Sequence, residues 1–200
     1  MRIDASLQVE QSSSRQLGDF LVHTLQPKEI IHHDLAQTPP PPMTQDFITA
    51  MFNPAPDAQQ QALLQQSDQW IQQLKQVDAL LITTPMYNFG IPAHLKSFFD
   101  QILRAGHTFK YTENGPQGLL ENKPVYLILS SGGDYREGAA ATLNHLDGHL
   151  QVMLNFIGLT DLHFIHAAGL AQGASESILE QAQQHITQLL TQQAKERQSA

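Results

Sequence analysis

The stretch Thr83-Thr84-Pro85-Met86-Tyr87-Asn88-Phe89-Gly90-Ile91-Pro92 follows Ala79-Leu80-Leu81-Ile82, an unbroken apolar run of the kind that forms a strand covered on both faces. Beyond it, Pro92 stands where a helix would start, and Leu95, Phe98, Phe99, Ile102 and Leu103 recur at helical spacing. The stretch therefore reads as a turn joining a buried strand to a helix. Open α/β sheets bind their ligands in loops at the carboxyl ends of such strands, so this turn marks a site as well as a fold.

The same alternation continues in both directions. Arg2 to Ser6 reads as a first strand, followed after Ser14 by a helix with Leu17, Phe20, Leu21 and Leu25 on one face. Glu29 to His33 reads as the second strand, and Thr38-Pro39-Pro40-Pro41-Pro42 as a loop that fits neither helix nor ladder. From Asp57 to Val77 glutamine dominates, yet Leu63, Ser67, Trp70, Leu74 and Val77 keep a helical period, which predicts an amphipathic helix. Val125 to Ser130 and Leu162 to His166 read as the fourth and fifth strands, with helices over Leu143 to Phe156 and Ile178 to Leu190. With right-handed crossovers this predicts one α/β domain over residues 1–200. Its expected fold is flavodoxin-like: a doubly wound five-stranded parallel sheet of order 2-1-3-4-5, with helices on both faces.

Composition narrows the function. With 11 Lys+Arg against 19 Asp+Glu the net charge is -8, which repels polyanions and argues against a nucleic-acid partner. There is no cysteine, so disulfides, thiolate metal sites and a cysteine nucleophile are excluded. No apolar run approaches the ~20 residues of a membrane span, and the Met1-Arg2-Ile3-Asp4 start has no leader character. The expectation is a cytoplasmic protein without a membrane partner.

In the expected topology the loops after strands one, three and four lie side by side. The first runs from Ser6 to Ser14 and brings Ser12, Ser13 and Ser14 to a helix N-terminus, where hydroxyls, free amides and the helix dipole favour a phosphate. The competing reading is that Ser14 merely caps the helix. In the next loop Met86, Tyr87 and Phe89 offer apolar surface, with Asn88 and Gly90 permitting a tight turn; the competing reading is core packing. Ser130-Ser131-Gly132-Gly133 offers bare backbone. Together the three loops suit a mononucleotide with an aromatic ring. His145 and His149 have a spacing compatible with a metal, but Gly148 between them weakens a helix and no metal is expected. His32-His33-Asp34 reads as a solvated strand end. Asp4 raises the class of phosphoacceptor domains, which also need an aspartate after strand three, where this chain has Thr83-Thr84-Pro85.

Five segments carry a resemblance to a known family. They are Pro85-Met86-Tyr87-Asn88-Phe89; Lys96-Ser97-Phe98-Phe99-Asp100; the stretch from Arg104 to Pro116, with Thr108-Phe109 and Tyr111-Thr112-Glu113-Asn114-Gly115-Pro116; Ser131-Gly132-Gly133; and Phe156-Ile157-Gly158. They resemble the FMN-dependent NADH:quinone oxidoreductases, also called FMN-dependent NADH-azoreductases. The resemblance implies FMN contacts from Ser6, Ser12, Ser13, Ser14, Met86, Tyr87, Asn88, Phe89, Ser130, Ser131, Gly132 and Gly133, with no catalytic side chain because the flavin carries the chemistry. It further implies a homodimer with active sites at the subunit interface, where Phe109, Tyr111 and Phe156 are candidates to cover the ring and shape the substrate slot, the competing reading of each being ordinary core; Tyr135 sits where residue type varies among members. The implied reaction moves two electrons from NADH, or NADPH as the alternative donor, to quinones by a ping-pong scheme, and cleaves aromatic azo compounds to amines. The other reading of an FMN site on this fold is a flavodoxin-type electron carrier with no turnover of its own.

Overall fold

The computed structural model describes residues 1–199, with side chains through Glu196. In chain order the elements are β1 (Arg2–Asp4), α1 (Ser13–Leu25), β2 (His32–Asp34), α2 (Gln45–Phe52), α3 (Ala58–Gln76), β3 (Leu80–Pro85) and α4 (Ala93–Ile102). They continue as β4 (Phe109–Thr112), β5 (Gly115–Gly118), β6 (Val125–Ser131), α5 (Asp147–Phe156), β7 (Leu162–Ala168) and α6 (Ser175–Ser199). Five strands form a parallel sheet in the order β2-β1-β3-β6-β7. The expected order 2-1-3-4-5 differs from this because β4 and β5 intervene in the chain and pair with each other as a separate antiparallel ribbon. Their sequence hides them: Gly115-Pro116-Gln117-Gly118 has the residues that strands avoid.

Alternating residues of the central strands feed two cores. Leu80, Ile82, Val125, Leu127 and Leu129 pack with Trp70, Leu74, Phe98, Phe99, Leu150 and Leu154 of α3, α4 and α5. Leu81, Tyr126 and Ile128 face the other way, against Leu17 and Leu21 of α1 and Ala182 and Ile186 of α6. Helices on both faces explain why these strands read as continuous apolar runs.

The boundaries differ from expectation for definable reasons. The second strand is His32–Asp34 rather than Glu29 to His33, because its ladder partner β1 offers only Arg2, Ile3 and Asp4. Thr83, Thr84 and Pro85 belong to β3, pairing with Ile128, Leu129 and Ser130, so the turn begins only at Met86. The helix expected from Leu143 begins at Asp147, after a short 3₁₀ turn at Gly138–Leu143. On α3 the buried stripe is Leu64, Ser67, Trp70, Ile71 and Leu74, while Leu63 is exposed. Leu64 is drawn inward by Phe47 and Ala50 of α2, a short helix the sequence reading missed.

The β4–β5 ribbon is seated on the end of α5 by two glycines. A Cβ on Gly118 would lie 2.2 Å from the Gly158 backbone nitrogen, and Gly158 itself holds a φ of +100°. Gly118→Ala should therefore lower stability by about 3 kcal/mol, an overpacking penalty. Gly148→Ala, whose added Cβ meets nothing within 4 Å, should instead raise stability by up to about 1 kcal/mol through helix propensity. Thermal or urea melts of the two variants check the contrast.

Candidate functional site

The carboxyl end of β1 is organised by a buried carboxylate. Asp4, 1 % exposed, accepts hydrogen bonds from Arg2 Nε (2.9 Å) and the Thr83 hydroxyl (2.8 Å), and pairs with His32 Nε2 (2.9 Å). Asp4 is thus a structural hub joining β1, β2 and β3. His32-His33-Asp34, expected as a solvated end, is likewise engaged: His33 meets Gln73, and both oxygens of Asp34 accept from Arg15 at 2.7 Å. The hydrogen bond from Arg15 holds the Asp34 carboxyl below its usual range against the opposing effect of burial, and the same hydrogen bond raises the Arg15 pKa.

Arg15 also donates to the Ser6 carbonyl at 2.7 Å, which anchors the start of the serine loop to the first turn of α1. Ser12, not Ser14, is the N-cap: its hydroxyl accepts from the Arg15 amide and lies 3.1 Å from the hydroxyl of the buried Ser14. Ser6 bonds locally to Gln8. The first bond running into the helix goes from Gln16 N–H to the Ser12 carbonyl, so the amides of Ser13 and Ser14 precede the intrahelical ladder. The buried Nε of Arg15 has no hydrogen-bond partner. Free amides, paired hydroxyls and an underlying guanidinium form a donor set that fits a phosphate monoester.

The next loop is a two-residue reversal, with reciprocal backbone bonds between Tyr87 and Gly90 at 3.0 and 3.1 Å. Its central residues are left-handed, Asn88 at φ 49° and Phe89 at φ 70°. Gly90, expected to supply this freedom, does not need it. Asn is at home in such a turn, whereas a bulky aromatic at positive φ is strained, a state that concentrates at ligand-binding sites. The three loops are tied together around this turn. The Leu7 amide donates to the Tyr87 hydroxyl (3.2 Å), the Met86 amide to the Ser130 carbonyl (2.7 Å), and the His145 amide to the Phe89 carbonyl (3.0 Å). Tyr135 meets Phe89 edge to face at 5.7 Å. In the third loop the Ser131 hydroxyl donates to the Gly133 carbonyl, and the amides of Gly169 and Ala171 donate to the carbonyls of Gly133 and Gly132.

The substrate-side aromatics fall into two groups. Tyr135 sits with the loops. Phe109, 8 % exposed, packs on Phe156 with centroids 4.5 Å apart, while Tyr111 is 74 % exposed. Phe109 is therefore part of its own chain's core, the competing of its two readings. Phe156 and the loop end of α5 are separated by roughly 14 Å of helix, at 1.5 Å per residue. Within one chain Phe109, Tyr111 and Phe156 do not join the loop cluster. His145 lies before α5 and so shares no helix with His149, and no group of three metal-ligating side chains occurs among the described residues. The sequence reading missed Arg15, Asp147 and His166, and it discounted Asp34 as part of a solvated strand end. Their pairings span separate elements, and no local periodicity reports them.

Fold and loops together define an open α/β domain with a built site at its strand ends. The chain matches the flavodoxin-like fold family over residues 1–190. The FMN-dependent NADH:quinone oxidoreductase of Hydrogenovibrio crunogenus is 39% identical over 198 residues, covering 95% of this chain and 98% of that one. The enzyme of the same name from Azotobacter vinelandii is 42% identical over 177 residues, covering 86% and 87%. The azoreductase structure from Bacillus anthracis str. Sterne superposes with a TM-score of 0.86 at 26% identity, covering 94% of this chain and 96% of that one. The chain belongs to the FMN-dependent NADH:quinone oxidoreductase family of flavodoxin-like proteins.

The serine loop gives the first test of the cofactor. Replacing Ser12 and Ser14 together by Ala should weaken FMN by roughly 3–6 kcal/mol, from two lost hydrogen bonds to a charged group. Loss of the cap costs about 1 kcal/mol of stability. Riboflavin, which has no phosphate, should bind wild type and variant alike in a fluorescence titration of the apoprotein. Equal loss for both flavins would remove the phosphate from this loop.

Proposed function

We propose that this chain binds FMN in the three interlocked strand-end loops and transfers two electrons from NADH to quinones, with aromatic azo compounds as further acceptors. The observation that carries the reading is the strained Phe89 turn, tied by hydrogen bonds to both the serine loop and the Ser130–Gly133 segment. The enzyme names of relatives near 40% identity favour turnover over the electron-carrier reading.

In this reading FMN supplies the redox chemistry when bound, accepting two electrons from the nicotinamide and giving them to the acceptor. The amides of Ser13 and Ser14 and the hydroxyls of Ser12 and Ser14 hold the phosphate. Met86, Tyr87, Asn88 and Phe89 border the ring, and the Ser130–Gly133 backbone borders the edge that gains electron density. No side chain has to act as acid or base on the substrate. With FMN held by these loops, donor and acceptor would have to use the same opening in turn. Anaerobic NADH should bleach the flavin at one equivalent, a quinone should restore it, and initial rates should give parallel double-reciprocal lines. Intersecting lines, or FMN binding without quinone turnover, would contradict this scheme.

The active unit is a homodimer in the same reading. Phe89, Leu143, Val152 and Tyr111 are exposed apolar groups on or near α5, a concentration that suits a two-fold contact. A partner copy would bring its Tyr111 toward the loops that the same residue cannot reach in its own chain. Tyr111→Asp should then produce a folded monomer and lower turnover together, by light scattering and circular dichroism beside the quinone assay. A folded monomer with full turnover would contradict the shared site.

A further inference from the structure

Beneath the Ser130–Gly133 segment lies a hydrogen-bonded histidine–carboxylate pair that the proposed chemistry has not used. His166 Nε2 and Asp147 Oδ2 are 2.7 Å apart, joining the end of β7 to the first turn of α5. The imidazole stacks on Phe164, with centroids 6.1 Å and planes 10° apart, and this fixes its orientation. His166 pairs with Leu129 in the β6–β7 ladder, and Ser130 and Ser131 follow opposite Ala167 and Ala168. The continuation of β7 donates to the carbonyls of Gly132 and Gly133. The position of the glycine loop thus depends on the strand end that His166 and Asp147 hold down.

The pair also lines a cavity of about 10 Å³ with Met86, Ser130, Ser131, Tyr135, Arg136 and Asn144. That is close to the space one water requires, although Leu129, Leu146 and Ala168 make much of its wall apolar. The charged groups facing the imidazole are Asp147 from α5 and Asp134 with Arg136 from the loop after Gly133. Arg136 donates to Asp134, whose pKa is held at about 2 chiefly by that hydrogen bond. Burial disfavours the Asp147 carboxylate, but the hydrogen bond and charge of His166 and the Asn144 contact outweigh it and set its pKa below the ordinary value.

We propose that Asp147 and His166 form a positioning couple that seats the glycine loop and places a protonatable imidazole behind the electron-rich edge of the flavin. The proposal rests on the FMN reading above. With Nε2–H donated to Asp147, a proton exchanged with solvent is taken or released at Nδ1. No bond to flavin or substrate forms, and the electrons come from NADH alone. A proton at Nδ1 favours the reduced, more negative flavin, so the protonated couple makes the cofactor a stronger oxidant than the neutral one.

Flavin midpoint potentials and FMN dissociation constants, measured from pH 5.5 to 8.5, test this in wild type, His166→Gln and Asp147→Asn. At pH 6, His166→Gln should bind reduced FMN, relative to oxidised, about tenfold less favourably than wild type, or about 30 mV for a two-electron couple. The difference should close by pH 8.5. Asp147→Asn should move the pH dependence of the potential to lower pH and loosen oxidised FMN by a few fold. A merely structural pair would weaken FMN by the same factor at every pH. Potentials of both variants parallel to wild type across the range would overturn the couple. Melting curves of the apoproteins identify a variant that does not fold, and the other then decides. Wild type that takes up no FMN would overturn the reading beneath the proposal as well, whereas normal uptake with unmoved variants overturns the couple alone.

Discussion

A carboxylate buried at the end of β1 is the constraint on which the site depends. Asp4 is removed from water, and its charge is tolerable only because Arg2, Thr83 and His32 all reach it. Those partners come from three neighbouring strands, so satisfying one charge fixes β2, β1 and β3 against each other where the serine loop departs. Arg15 extends the network by clasping Asp34 and the Ser6 carbonyl. Close helix approach is part of the same arrangement: a Cβ on Gly18 of α1 would fall 2.7 Å from the Thr83 methyl and 3.2 Å from an Arg2 nitrogen. A single polar cluster therefore sets the distance of the helix N-terminus from the sheet.

From that anchor the site is assembled through backbone bonds. Each strand-end loop is short of donors or acceptors of its own, and each finds them in its neighbour, as Leu7 does in Tyr87 and Met86 in Ser130. Strain is concentrated at Phe89, where the surrounding bonds overdetermine a conformation the residue would not choose. The couple of Asp147 and His166 holds the third loop in the way the Asp4 cluster holds the first. Asp4, Arg15, Asp147 and His166 are bonded to one another's elements behind the loops, so in the proposed reading backbone and hydroxyls are left for the cofactor that carries the reaction.

Much of this was legible in the sequence, and the limits have physical causes. Buried parallel strands declare themselves as apolar runs, so β3, β6 and β7 were found, with ends one to three residues short where Thr83, Thr84 and Ala167 are hidden by polarity or size. The strand-end loops were legible because serine, glycine and the Met86–Phe89 turn carry their chemistry in residue type. Edge strand β2 shifted by several residues because its register is set by a three-residue partner. The β4–β5 ribbon and α2 escaped because one is built of glycine and proline and the other is stabilised by a few contacts to Leu64. Phe109 was left open between core and interface for a related reason. Without the ribbon in view, nothing indicated that Phe156 would cover it. The pairs Arg15–Asp34 and Asp147–His166 join residues nineteen apart in each case, and only the folded chain brings them together.

The central claim is that three loops from three strand ends form one FMN site. Hydrogen–deuterium exchange of the apoprotein with and without FMN tests it most directly. Protection should appear together in residues 6–14, 86–90 and 130–134, with the amides of Ser13 and Ser14 among the most slowed. Protection confined to one of these segments, or centred at the opposite, amino-terminal end of the sheet, would contradict the account.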